Sequence, residues 1–287
     1  MELTDAVIKF RQYQLASDKS ESTINSYAND LHHFHHYITS KYNCEPYLSD
    51  ITPEDIEEYL YFLKDELGYT SASRKRKLAV FRTFFGYCFR KKFCEVNPVL
   101  YVESIRLEQK ERIYLSEKEV QTIVDRIEHP LIKLVVQTLY YTGMRISECL
   151  NLKVQDVDFA KNVIKVTKTK GKKERHIPIN PKLKTLLLHY WEHGRTSTDT
   201  DFFFGTNYTG RLSRSYVNKV IANIVSELGW SSEINCHSMR HAFASNLVKK
   251  DVHIVHIQKL LGHTSLTTTS VYTHVKKADL EKAVSYL

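Results

Sequence analysis

One polar run does most to limit how this chain can fold. Residues Glu103 to Arg112 read ESIRLEQKER, a mostly charged stretch with the character of a linker. It is entered through Asn97-Pro98, where proline withdraws a backbone donor and stops a helix. It is left through Ser116-Glu117-Lys118-Glu119, the serine-to-glutamate spacing of a capping box. A chain of 287 residues is long enough for two domains at roughly 100 to 200 residues each. The expected layout is a small helical domain over 1–102, a linker over 103–112 and a larger domain over 113–287.

The first hundred residues carry helical periodicity only. Ile24, Tyr27, Leu31, Phe34 and Ile38 form one apolar stripe. On the other face, His32 and His36 have the i, i+4 separation a metal could bridge, but no carboxylate or cysteine motif accompanies them. A solvated or DNA-facing surface accounts for them as well, and no metal is expected. Thr52-Pro53-Glu54-Asp55 opens the next helix: a capping threonine, a proline at the first position and acidic groups in the first turn. Ile56, Tyr59, Leu60 and Leu63 supply its buried face.

The segment SASRKRKLAVFRTFFGYCFRKK follows. Leu78, Phe81, Phe84, Phe85 and Cys88 are placed to face a core. Arg74, Lys75, Arg76, Lys77, Arg82, Arg90, Lys91 and Lys92 are interrupted by no acidic residue. A helix with serines at its start and this uncompensated charge suits phosphate tracking; a solvated basic face is the plain alternative.

Beyond the linker, Val120, Ile123, Val124 and Ile127 continue the capped helix, and LIKLVVQTLYYTG gives an apolar helix closed by Gly143. Arg145 then stands at the start of a new helical turn, with Glu148 three residues on and within reach. Val163–Val166 and His176–Ile179 read as strands around the basic turn TKTKGKKER, which bends at Gly171 and holds Lys170 at its tip, flanked by Lys168 and Lys172. Leu183, Leu186, Leu187 and Tyr190 mark one later helix. Val217, Val220, Ile221, Ile224, Val225 and Leu228 mark another, which carries Arg214 and Lys219 as backbone-contact candidates. The fold class is therefore mainly α in two domains, the second mostly helical with a small antiparallel β-sheet.

Charge and cysteine usage narrow the class further. A net charge of +8 points toward an acidic partner, since phosphate backbones reward clustered cations through counterion release. The five cysteines form no C-x-x-C pair and suggest no disulfide framework, so a reducing cytoplasm is the expected compartment. No stretch reaches the roughly 18 apolar residues of a membrane span, and the N-terminus lacks the apolar core of a signal peptide.

The chemistry concentrates in CHSMRHAFASNLVKKDVHIVHIQKLLGHTSLTTTSVYTH, from Cys236 to His274. His237 and Arg240, three apart, share a helix face, which allows both to reach one small anion. A further histidine, His263, follows Gly262, and Tyr272 lies nine residues beyond it. Cationic and hydrogen-donating groups beside a hydroxyl nucleophile suit attack on a phosphodiester, because negative charge grows on the phosphate oxygens as the bond forms. Singly, a His-x-x-Arg pair among 14 histidines or one tyrosine carries little weight. Order and context carry the argument.

Taken together, TGMRISE around Arg145, the hairpin Lys170, HSMRH from His237, LGH at His263 and SVYTHV at Tyr272 resemble the tyrosine site-specific recombinases, or phage-integrase family. The resemblance spans nearly the whole chain and is nearest to two-domain Xer-type enzymes and mobile-element resolvases or integrases. It implies a SAM-like core-binding domain over 1–102 that contacts DNA, and a catalytic domain over 113–287. It implies that Arg145 and Arg240 grip the scissile phosphate, Lys170 protonates the departing 5′ oxygen, His237 is a general acid/base, His263 donates to a phosphate oxygen and Glu148 orients its neighbours.

Tyr272 would form a 3′-phosphotyrosyl intermediate, and exchange would pass through a Holliday junction without metal, ATP or other cofactor. The implied partners are double-stranded DNA bearing a specific site and three further recombinase subunits, as a homo-tetramer on two duplexes or a hetero-tetramer with a second recombinase. The expected setting is the bacterial nucleoid in the cytoplasm, with no membrane. The terminal stripe Leu280, Ala283, Val284 and Leu287 would be the swapped helix that links subunits. Two other readings share parts of this pattern: a type IB-like topoisomerase acting alone, and a non-catalytic architectural DNA-binding protein.

Overall fold

A computed structural model describes residues 1–107, 113–167, 174–195, 200–207 and 210–262. The chain divides into two compact units, Met1–Lys110 and Glu111–Leu287. Among these described residues the fold is mainly helical with one small antiparallel sheet, as the periodicity indicates.

The first unit is built from α1 (Leu3–Ala16), α2 (Glu21–Tyr42), α3 (Pro53–Asp65) and α4 (Ser71–Arg90). Each of the last three starts on a side-chain cap. Ser20, Thr52 and Thr70 accept the backbone N–H of Thr23, Asp55 and Ser73. At α3 the Asp55 carboxylate also takes the Thr52 N–H at 3.0 Å, which completes a capping box. Ile24, Leu31, Phe34 and Ile38 face inward from α2. The Phe34 ring meets Phe81 of α4 at 4.8 Å and Tyr59 of α3 at 5.2 Å, so aromatic contacts join three helices. Two 3₁₀ turns, Leu48–Asp50 and Pro98–Tyr101, complete the unit.

The second unit holds α5 (Glu117–Arg126), α6 (Pro130–Thr142), α7 (Ile146–Leu150), β1 (Val157–Asp158), β2 (Val163–Val166), β3 (Arg175–Pro178), α8 (Pro181–His189), α9 (Arg214–Glu227), α10 (Cys236–Lys249) and α11 (Ile254–Leu261). The strands pair antiparallel in the order β1-β2-β3, with Ile164 opposite Ile177 and Val166 opposite Arg175. The third strand begins one residue before the expected His176, because the Arg175 backbone joins the ladder.

Helix α6 is apolar almost all round and lies in the core, with α5, α7, α8 and α10 packed on it. Its Thr138 and Thr142 hydroxyls donate to the carbonyls one turn back, so neither is an unpaired buried group. Gly143 ends the helix at φ +63°. A Cβ there would lie 2.4 Å from Phe243 Cδ1, so both the left-handed turn and the close approach of α10 require glycine.

Candidate functional site

Arg145 owes its position to the turn that Gly143 makes. Met144, fully buried, anchors that turn, and its backbone N–H donates to Thr142 Oγ1 at 3.3 Å. Arg145 is therefore delivered to the N-cap of α7 with its side chain still partly open. Glu148, one turn on, accepts the Arg145 backbone N–H at 2.9 Å and its Nη1 at 2.9 Å. The Arg145–Glu148 reach read from spacing is thus a real contact.

Arg240 is buried on α10, at 4 % exposure. Its Nη1 donates to the Gly143 carbonyl and its Nη2 to that of Leu261 at 2.9 Å. The last carbonyls of α11 form the negative end of a helix dipole, which favours a guanidinium there. His237 begins α10 beside the Asn235 cap, which accepts the His237 backbone N–H at 2.8 Å. Crowding by surrounding protein, then the guanidiniums of Arg214, Arg240 and Arg145, hold its imidazole below the ordinary value of 6.5. Arg145, Glu148, His237 and Arg240 therefore share one electrostatic neighbourhood, and Arg214 of α9 joins them. Lys219, also on α9, is exposed.

Sequence reasoning passed over Arg175. It lies at 9 % exposure in β3, with Nη1 and Nη2 on the two Glu148 oxygens at 3.1 and 2.7 Å and Nε on the Leu260 carbonyl at 2.9 Å. Burial alone would raise the Glu148 carboxyl. The Arg175 hydrogen bonds, then the Arg145 amide and the charges of both arginines, outweigh it and hold the group down at about 2. Beside these residues a cleft of about 630 Å³ is lined by Arg145, Ser147, Lys153, Lys165 and Thr167, among others.

Lys170 with its neighbours Lys168 and Lys172, His263, Tyr272 and the Leu280–Leu287 stripe lie outside the described residues. Among the described residues, no group of three His, Cys, Asp or Glu side chains is placed to hold a metal, and no helix is long and apolar enough to cross a membrane.

The basic segment of α4 needs a correction. Lys77 is buried at 3 % exposure, its Nζ 2.8 Å from Asp30 Oδ1, so it faces the core and not a phosphate. Asp30, on α2, also takes Arg76 at 2.8 Å, and the charge of this helix is partly compensated from another element. Arg76 remains exposed, and Arg82 reaches the Val102 carbonyl at 3.4 Å. Lys75 is exposed and Arg74 half-buried.

The phage integrase family model matches residues 113–279, and the phage integrase N-terminal SAM-like domain matches residues 8–92. The chain is 31% identical over 282 residues to the tyrosine recombinase XerC of Oceanobacillus iheyensis, covering 94% of this chain and 91% of that protein. It is 32% identical over 271 residues to the tyrosine recombinase XerD of Yersinia pestis, covering 91% and 89%. Among solved structures, the XerH site-specific recombinase bound to its difH substrate in a pre-cleavage complex superposes with a TM-score of 0.70 at 27% identity, over 91% of this chain and 79% of that one. The guanidinium cluster thus sits in a chain that belongs to the phage integrase family, as a Xer-like tyrosine recombinase.

Proposed function

We propose that this recombinase cuts and rejoins DNA at a specific site through Tyr272. The Tyr272 oxygen attacks the scissile phosphorus, its proton passes to His237, and a 3′-phosphotyrosyl bond replaces the bond to the 5′ oxygen. Lys170 protonates that leaving oxygen. Arg145 and Arg240 neutralise the charge that grows on the phosphate, with His263 as a further donor and Glu148 as the group that orients Arg145. A neutral His237 suits the proton-accepting role, and its depressed pKa keeps the imidazole neutral at neutral pH.

Attack by the 5′ hydroxyl of a second duplex reverses the step and yields a Holliday junction, within a tetramer on two duplexes that resolves or integrates a replicon or mobile element. The unit over 1–102 holds the DNA through Arg74, Lys75, Arg76 and Arg82, and the catalytic unit over 113–287 adds Arg214 and Lys219.

The observation that carries this reading is the gathering of Arg145, Arg240 and His237 in one neighbourhood, where three guanidiniums act on one imidazole. The test is covalent trapping on nicked suicide duplexes taken from DNA flanking the gene. A protein–DNA adduct that Tyr272→Phe abolishes is expected on a subset of duplexes. An adduct on every duplex would favour a solitary topoisomerase. No adduct on any would favour a DNA-binding protein without catalysis.

A further inference from the structure

Arg175 has no part in the mechanism above, yet its guanidinium joins three pieces of the site. It holds both oxygens of Glu148 on α7, it donates to Leu260 at the end of α11, and its own backbone pairs with Val166 in the sheet, five positions after Lys170. Gly262 packs directly on it: a Cβ there would lie 2.9 Å from Arg175 Cδ.

The consequence appears on considering Glu148 without it. That carboxylate is shared by the Arg145 amide, Arg145 Nη1 and the two Arg175 nitrogens. With Arg175 gone, Arg145 is its one remaining guanidinium partner among these contacts, and carboxylate and guanidinium favour a two-point fork. Such a fork would turn Arg145 onto the protein's own carboxylate and cancel its charge. With Arg175 present, the Arg145–Glu148–Arg175 group keeps a net positive charge, and the Arg145 side chain meets Glu148 through Nη1 alone.

We propose that Arg175 is a positioning residue for strand cleavage. By occupying Glu148 it keeps the Arg145 guanidinium available to the scissile phosphate, and it ties the strand leaving the Lys170 hairpin to the turn at Gly262. This rests on the phosphodiester reading above.

The experiment uses the full chain and a nicked duplex that the wild type cleaves. Arg175→Ala is expected to slow adduct formation about 10- to 100-fold while the Kd for the same duplex changes less than about threefold. Adding Glu148→Gln to Arg175→Ala should restore the rate by about fivefold or more, because a neutral amide no longer competes for Arg145. A double variant as slow as Arg175→Ala would show a merely structural role and overturn the proposal, as would a wild-type rate for Arg175→Ala. Should Arg175→Ala lack a cooperative thermal transition, Arg175→Gln with and without Glu148→Gln carries the same comparison under the same criteria. If the wild type forms no Tyr272-dependent adduct at all, the reading beneath fails, a result distinct from any difference between variants.

Discussion

The Arg240 guanidinium and the Gly143 carbonyl are hydrogen-bonded across 97 residues of sequence, so the helix bearing the His-x-x-Arg pair is tied to the turn that presents Arg145. The same side chain reaches Leu261. Arg240→Ala removes two donors and leaves buried carbonyls unpaired, at a cost of about 2 to 4 kcal/mol in stability. It should also reduce cleavage by about 100-fold or more while DNA binding falls far less, since the charge it meets develops in the transition state. Arg145→Ala, at a half-open position, should give the same kinetic loss with little change in the denaturation midpoint. Parallel losses of cleavage and binding in either variant would contradict the assignment.

Glu148 links the site to acid stability. Its carboxyl is held at about 2, against an ordinary value of 4.5. A carboxyl depressed in the folded state contributes stability that is complete above about pH 4.5 and is lost as pH falls through about 2. The contribution is on the order of 3 kcal/mol. Glu148→Gln should therefore be less stable than wild type at neutral pH, with the gap closing between pH 4.5 and 2. Chemical denaturation across that range tests it, and a gap independent of pH would refute the linkage.

His237 should set the acid limb of the cleavage reaction. Its pKa lies below 6.5, held there by crowding and then by Arg214, Arg240 and Arg145. If the neutral imidazole accepts the tyrosine proton, the rate stays high below pH 6.5 and declines only at the depressed value. Arg214 is exposed and is not proposed as a reacting group, so Arg214→Ala should move the limb upward toward 6.5. Single-turnover cleavage from pH 5 to 8 reads the shift directly, and a limb that stays in place would remove His237 from the proton-transfer role. Because the folded protein binds this proton less readily than the unfolded chain, the same shift lowers stability as pH falls below 6.5.

What could be read in advance follows from how local each signal is. Helices α3 and α5 announce themselves through capping boxes at Thr52 and Ser116, complete within four residues. Helix α1 has no such mark: Glu2 at its N-cap makes no side-chain bond. The two-residue β1 is too short for any period to show. Within the site, Arg145 with Glu148 and His237 with Arg240 are pairs three residues apart, so spacing alone brings them together. Arg175 is different, because its partners are 27 and 85 residues away and it sits at the end of a run of lysines. A signal was present: Arg175, Ile177 and Ile179 alternate on the buried side of the strand region. A cation at a core-facing strand position demands a buried anion.

Lys77 likewise has a partner far off in sequence, Asp30, 47 residues earlier, and the two lysines of α4 should separate cleanly in experiment. Lys77→Ala leaves Asp30 in the core with Arg76 as its remaining ion-pair partner. It should destabilise the first unit by about 1 to 3 kcal/mol, since the buried Asp30 carboxylate loses a charged hydrogen-bond donor while keeping Arg76. Any effect on DNA affinity should disappear once the folded fraction is accounted for. Lys75, two positions away and exposed, should behave in the opposite way. Lys75→Ala leaves the denaturation midpoint unchanged, weakens DNA binding, and makes the dependence of log Kd on log salt shallower by about one. A salt slope that changes with Lys77 and not with Lys75 would mean that α4 meets DNA with its other face.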